Sequence, residues 1–136
     1  MKNKVLSLIF ITLLLMAGCD AAISLRGKVA SISSGKFFYQ DGSLTSDYNA
    51  DIDSVWTACE KTASELKATD LQKERKISTG IIKAVIQEEK VIIKVEYVER
   101  NLTSVSVFVG TVGNNMASRL IHEKIIGNLT KNNQLP

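Results

Sequence analysis

Two thiols and one imidazole, Cys19, Cys59 and His122, are the side chains of this 136-residue sequence best suited to attack, to ligate a metal or to shuttle a proton near neutral pH. A thiol becomes a strong nucleophile when a nearby base raises its thiolate fraction. Nothing in the spacing brings Cys59 to His122. Glu123 follows the histidine with no second histidine or cysteine close by, so no metal constellation forms and no cofactor is expected. Cys59 shares helical spacing with Ile52, Val55, Ala63 and Leu66, which predicts a buried, inert thiol. His122 is expected on the surface of a helix. A third constellation is Gly110-Thr111-Val112-Gly113-Asn114-Asn115, between a strand pattern and a helix pattern. Backbone N–H groups at such a junction can hold an anion, which makes Gly110, Thr111, Gly113 and Asn114 candidate binding residues. The Gly-Lys-Ser/Thr ending of a phosphate loop is missing, and a tight strand-to-helix turn explains the glycines equally. An enzyme therefore has the least support among the functions considered.

Cys19 stands in a different setting. Lys2 and Lys4 precede an apolar run, Val5–Ala17, and the small residues Ala17 and Gly18 lead directly to the cysteine. As a helix, these 13 residues reach about 20 Å, short of a hydrocarbon core of about 30 Å. Charge, length and small residues fit a secretory signal peptide over residues 1–18. Leu15-Met16-Ala17-Gly18-Cys19 resembles the lipobox of bacterial lipoproteins, with Met16 where Leu is usual. The resemblance implies a diacylglyceryl group on the Cys19 thiol, cleavage between Gly18 and Cys19, and acylation of the new amino group, palmitate being a typical chain. An ordinary signal peptide or an apolar anchor with an incidental cysteine is the alternative. Asp20, directly after the cysteine, resembles the residue that keeps enteric lipoproteins in the inner membrane; without that role the outer membrane is the expected address. The domain is expected to face the periplasm within the cell envelope.

Composition bounds the rest. Loss of Lys2 and Lys4 with the leader takes the 17 basic residues to 15, against 14 acidic ones. That near-neutral balance, with no basic stripe interleaved with aromatics, argues against nucleic acid as a partner. Hydrophobic residues at 45% and charged residues at 23% match an ordinary folded domain rather than a disordered chain.

The elements follow from periodicity. Residues 19–34 show no sustained period and read as a lipidated tether, with Leu25–Ile32 as an optional edge strand. Lys36–Gln40 reads as a short strand ending in the turn Asp41-Gly42, with Leu44–Tyr48 continuing it as a hairpin partner. A helix follows, capped by Asn49 or Asp51, with Trp56 on its apolar face. Leu71–Ile77 is a charged edge strand, and Gly80–Gln87 a strand turned by Glu88-Glu89-Lys90. Val91, Ile93, Val95 and Tyr97, then Val105, Val107 and Val109, alternate with polar residues as half-buried strands. A last helix starts near Asn114 or Asn115 with Met116, Leu120, Ile121, Ile125 and Leu129 as its stripe. Each clear strand has one polar face, so both helices cover one side. The expected class is α+β: a two-layer sandwich over residues 35–130, an antiparallel sheet of about four strands with two helices on one face, followed by a polar tail at 131–136. Trp56, Ile93, Val95, Val107, Ile121 and Ile125 are its expected core.

Val55-Trp56-Thr57-Ala58, Thr79-Gly80 and Val109-Gly110-Thr111-Val112-Gly113-Asn114 resemble, over roughly residues 35–130, a family of small bacterial lipoproteins known only as a domain of unknown function. Such a family usually carries an acid where this chain has Asn114. The resemblance implies fold and location and no activity. The function expected is a membrane-anchored binding or structural module of the cell envelope, held through its lipid, whose partner is an envelope protein or a small ligand. A small-ligand or anion-binding protein using the 110–115 loop is the alternative.

Overall fold

The computed structural model describes residues 33–132. Strands β1 (Ser33–Gln40) and β2 (Ser43–Tyr48) precede helix α1 (Ile52–Glu65). Strands β3 (Thr69–Arg75), β4 (Thr79–Ile86), β5 (Glu89–Glu99) and β6 (Leu102–Val109) follow, and helix α2 (Asn115–Asn132) ends the domain. One sheet holds six strands in the order β1-β2-β6-β5-β4-β3, every neighbouring pair antiparallel. The expected α+β class with two helices holds; the strand count rises from about four to six. The extra strands lie at the edges, where the alternating pattern is weakest. β1 and β2 are separate strands of a hairpin whose turn, Asp41-Gly42, has φ of 51° and 79°, the signs a type I′ turn requires. β3 is polar except for Leu71, Thr-Asp-Leu-Gln-Lys-Glu-Arg.

Burial alternates along β2, β4 and β6 and through the first half of β5. Leu44, Ile82, Ile93, Val95, Val105 and Val107 line the face that α1 and α2 cover. Thr45, Ser106, Lys94 and Ile81, joined in register across four strands, belong to the other face. Ser33 and Ser34 belong to β1, and Lys131 and Asn132 to α2, so both terminal elements reach past residues 35–130. The signal peptide, Cys19, Asp20 and the optional strand at Leu25–Ile32 lie outside the described residues.

Helix α1 starts where Asp51 accepts from the Ser54 amide at 2.9 Å and from its hydroxyl at 2.6 Å, satisfying an otherwise orphaned N–H. It ends with Ala68 N–H on the Ala63 carbonyl and Lys67 N–H on that of Ser64. Lys67, with φ 55°, holds the left-handed position that usually falls to glycine in this motif. Helix α2 buries Ile121, Ile125 and Leu129 as expected, but Met116 and Leu120 are 72% and 59% exposed. They sit on the outward side, and Ser118 and His122 take their place against the sheet.

Trp56 is half-buried rather than a core anchor. Its indole packs against Gly80 on β4, where any Cβ would overlap the ring. The Arg75 guanidinium sits 5.9 Å from the ring centroid, close enough for a cation–π contact. The two residues depend on each other's size. Trp56→Ala is expected to cost less than the ~3–5 kcal/mol of a full core truncation. Gly80→Ala, destabilising alone, should be tolerated when combined with Trp56→Ala. Urea denaturation of the four members of this cycle measures the coupling; additive effects would contradict the contact.

Candidate functional site

His122 is fully buried, correcting its expected place on the helix surface. Its Nε2 lies 2.8 Å from the Leu44 carbonyl oxygen of β2. A carbonyl only accepts, so Nε2 carries the proton, and Nδ1 is left to accept from the Tyr48 hydroxyl at the other end of the same strand. Burial favours the neutral ring, which the Leu44 carbonyl holds in this one tautomer. Phe37 of β1 meets its edge at 5.4 Å between centroids, and the Arg119 guanidinium lies 5.6 Å from the Phe37 ring. Burial holds the imidazole below its ordinary pKa, with the Leu44 carbonyl pulling more weakly the other way. Burial also pushes the Tyr48 phenol well above its ordinary range, with Cys59 adding to the shift. The hydroxyls of Ser46 and Ser118 are buried with no partner among the described residues.

The spacing of His122 was a usable signal. It falls three residues before Ile125 and seven before Leu129, on the stripe those residues define. No such signal marks Tyr48, whose partner comes from 74 residues away.

Cys59 is buried and unpaired in any disulfide, as its helical position predicts. Burial drives its thiol pKa far up, with Glu60 contributing. Both His122 nitrogens are committed elsewhere, so the imidazole has no lone pair to offer this thiol. A second buried polar contact joins the helices. Asn128 donates to Thr62 at 3.0 Å and to Glu65 at 3.1 Å. The Glu65 carboxyl is held below its usual range by that Asn128 bond first and by Lys124 second.

The loop before α2 is shaped by contact with the first hairpin. Gly113, with φ 95°, packs its backbone directly onto Gly42, leaving no room for a side chain on either. Gly110 also has positive φ, 84°. Asn114 Oδ1 accepts from the Ala117 amide at 3.1 Å, the cap that an acid at this position would also provide. Thr111 and Asn114 are exposed. The four candidate residues therefore form a turn whose foremost amide partner is the chain's own asparagine.

On the sheet face away from the helices, Ser43, Ile92, Lys94, Ser106 and Phe108 border an open depression of about 180 Å³, and Gln72, Lys83 and Ile92 border another of about 320 Å³. Among the described residues no group of three or more His, Cys, Asp or Glu side chains could hold a metal. No helix among them is long and apolar enough to cross a membrane.

These features define a two-layer α+β domain whose reactive groups are locked into its core. The chain belongs to the family described as "Protein of unknown function (DUF3568)", whose model matches residues 2–128. No curated protein matches the chain.

The neutral imidazole sets the pH dependence. Below its ordinary pKa of about 6.5, the unfolded chain takes up a proton that folded His122 resists. Its contribution is fully present above about pH 6.5 and lost as pH falls through that value, by at most about 1.4 kcal/mol per pH unit. Urea midpoints between about pH 7.5 and 5 should drop, and His122→Gln should flatten the slope; an unchanged slope would contradict burial of a neutral ring. Cys59 should react slowly with a water-soluble maleimide in the native protein and quickly in urea, as read by mass spectrometry of its peptide. Rapid native labelling would put the thiol at the surface.

Proposed function

We propose that the protein is a bacterial lipoprotein: a membrane-anchored binding or structural module of the cell envelope, with Cys19 as its lipid-bearing first residue. The observation that carries this reading is the sequence Leu15-Met16-Ala17-Gly18-Cys19 at the end of a positively charged, apolar leader. The family match supports it, since it runs from residue 2 and so includes the leader. The physical logic is one of replacement. A leader of this length is a poor permanent span, and acyl chains at ~0.8 kcal/mol per buried methylene restore the hold once it is removed. One chain binds marginally, whereas two or three anchor stably. The anion-binding reading of residues 110–115 gains nothing from the geometry, because Asn114 already occupies the helix start. Asp20 is the proposed inner-membrane retention signal where enteric sorting operates.

Cys19→Ser should abolish incorporation of labelled fatty acid and leave the precursor uncleaved, while mass spectrometry of the wild-type terminus should find lipid-modified Cys19. A soluble mature protein, or an unmodified terminus starting elsewhere, would leave an ordinary exported domain. In the same fractionation, Asp20→Ser should move the protein toward the outer membrane. An identical distribution removes Asp20 from the argument without touching Cys19.

A further inference from the structure

The two edges of the sheet are built in opposite ways. β3 closes one edge with four charged residues in seven, Asp70, Lys73, Glu74 and Arg75. Lys73 and Arg75 are drawn back onto α1 by Glu60 and Asp53. Its ladder with β4 is interrupted between Thr69 and Gln72, where Asp70 has φ 49°. Charge and a bulge are common means of keeping another strand from adding to an edge. β1 closes the other edge, and among the described residues β2 is its one neighbour. From Lys36 to Gln40 it carries a single charge and three consecutive aromatic residues, Phe37, Phe38 and Tyr39. Its irregularity lies before Phe37, and from there to Gln40 the ladder with β2 is unbroken.

The turn at Asp41-Gly42 decides which backbone groups this edge offers. In a two-residue hairpin the residues flanking the turn, Gln40 and Ser43, form a hydrogen-bonded pair. Hydrogen bonding alternates along the strand, so Phe38 also turns its amide and carbonyl to β2, and Phe37 and Tyr39 turn theirs outward. The side chains alternate as well. Phe37 and Tyr39 belong to the helix side, where Phe37 meets His122. Phe38 belongs to the other face and is 62% exposed, with Tyr39 47% exposed. Exposed apolar residues elsewhere lack this setting. Ile77 lies outside any strand, Tyr97 and Val98 sit in the interior strand β5, and Leu71 stands on the charged edge. Only β1 sets exposed aromatic side chains beside strand backbone with no neighbour among the described residues.

We propose that β1 is the contact of a symmetric dimer, pairing antiparallel with β1 of a second copy so that the sheet continues from one protomer into the other. The dyad falls at Phe38. That register sets Phe37 opposite Tyr39 of the second copy, each using its outward amide and carbonyl, and Phe38 opposite its own equivalent. Every aromatic residue then meets an aromatic residue, a favourable cross-strand pairing. Lys36 meets Gln40, so no like charges are opposed. A strand that complements itself about its own centre is what an isologous interface requires, and this commits the edge to a second copy rather than to a peptide of unrelated sequence. Phe38 and Tyr39 offer roughly 200 Å² of aromatic surface. A five-residue pairing stays below the ~800 Å² per partner of a stable complex, so the dimer is reversible and grows with concentration. The pairing does not depend on the lipid anchor.

The test uses the full chain purified in detergent. Phe38→Cys should form a symmetric disulfide on mild oxidation, because a non-hydrogen-bonded pair at the dyad brings its two Cα atoms to about 4.5 Å, within disulfide range. Mass spectrometry should locate the bond at position 38 in both chains, native Cys59 being buried. Tyr39→Cys, offset by two residues from its own equivalent, should cross-link about ten-fold more slowly, and so should Ile77→Cys. Phe38→Lys sets two ammonium groups face to face, and light scattering should show its dimer dissociation constant raised about ten-fold. Its urea midpoint, read in dilute monomer, should stay that of the parent. A parent chain that remains monomeric up to ~100 μM, a Phe38→Lys dimer as tight as the parent's, or a disulfide at 39 or 77 formed as fast as at 38 would overturn the proposal. Oxidation in the bacterial host that joins position 38 to a different protein would put a partner's strand on this edge and overturn the second copy as its occupant.

Discussion

A neutral imidazole suspended between the two ends of one strand is the joint on which the second layer hangs. His122 donates to the backbone of Leu44 and accepts from the side chain of Tyr48, and both partners belong to β2. A helix packed only through Ile121, Ile125 and Leu129 could slide by a turn along a smooth valine surface at modest cost. Two directional bonds to residues four apart on one strand do not permit that: shifting α2 would bury a donor and an acceptor unpaired, at about 1–3 kcal/mol each. The geometry also fixes the tautomer, since a carbonyl can only accept, and burial favours the neutral ring. Specificity of packing and the loss of stability on acidification are therefore two results of the same pair of bonds.

The same register requirement appears at the other contacts of the helices. Asn128 ties α2 to Thr62 and Glu65 of α1, so the helices are set against each other by a polar contact as well as by their apolar sides. At the far edge of the sheet, β3 buries almost nothing of its own. Lys73 and Arg75 reach across to Glu60 and Asp53 of α1, each at 2.8–2.9 Å. Exposed ion pairs of this kind contribute little stability. Their charges do something else on an edge strand, making it a poor template for a further strand.

The interior strands were legible because each carries its own alternation. Ile93 and Val95 against Lys94, or Val105 and Val107 against Ser104 and Ser106, name the buried face without reference to any neighbour. The edges show less: Lys36–Gln40 and Leu71–Ile77 read as strands, but their bounds, Ser33–Gln40 and Thr69–Arg75, follow from the partner they pair with. The cap at Asp51 was readable from one residue type in one position. Met116 and Leu120 are apolar yet exposed, and the spacing of His122 with Ile125 and Leu129 is the better guide to the buried stripe. In the candidate loop, the glycines at 110 and 113 were recognised as turn residues. The reason Gly113 must be glycine lies on Gly42, 71 positions away in the sequence, and no local pattern could reveal it. Trp56 and Gly80 show the same limit. Each was conspicuous alone, and only the fold discloses that one is small because the other is large.

The buried chemistry bears on how function is divided along the chain. Inside the domain, the thiol of Cys59 is desolvated, the imidazole of His122 has both nitrogens engaged, and the phenol of Tyr48 serves the imidazole. Each of these groups would lose a stabilising contact by becoming reactive, so selection for the fold and selection for reactivity at these positions oppose each other. Recognition by such a domain must then work through its outer surfaces, which differ in kind. One sheet face carries Thr45, Ser106 and Lys94 among Ile92 and Phe108, and the β1 edge carries Phe38 and Tyr39. A surface of mixed polarity suits a partner that presents hydrogen bonds as well as apolar contact. On the proposed lipid anchor, a tether would multiply the local concentration of whatever lies beside it, so that neither surface would have to bind tightly in isolation, and shallow, open relief of the kind seen on this sheet is compatible with specific attachment.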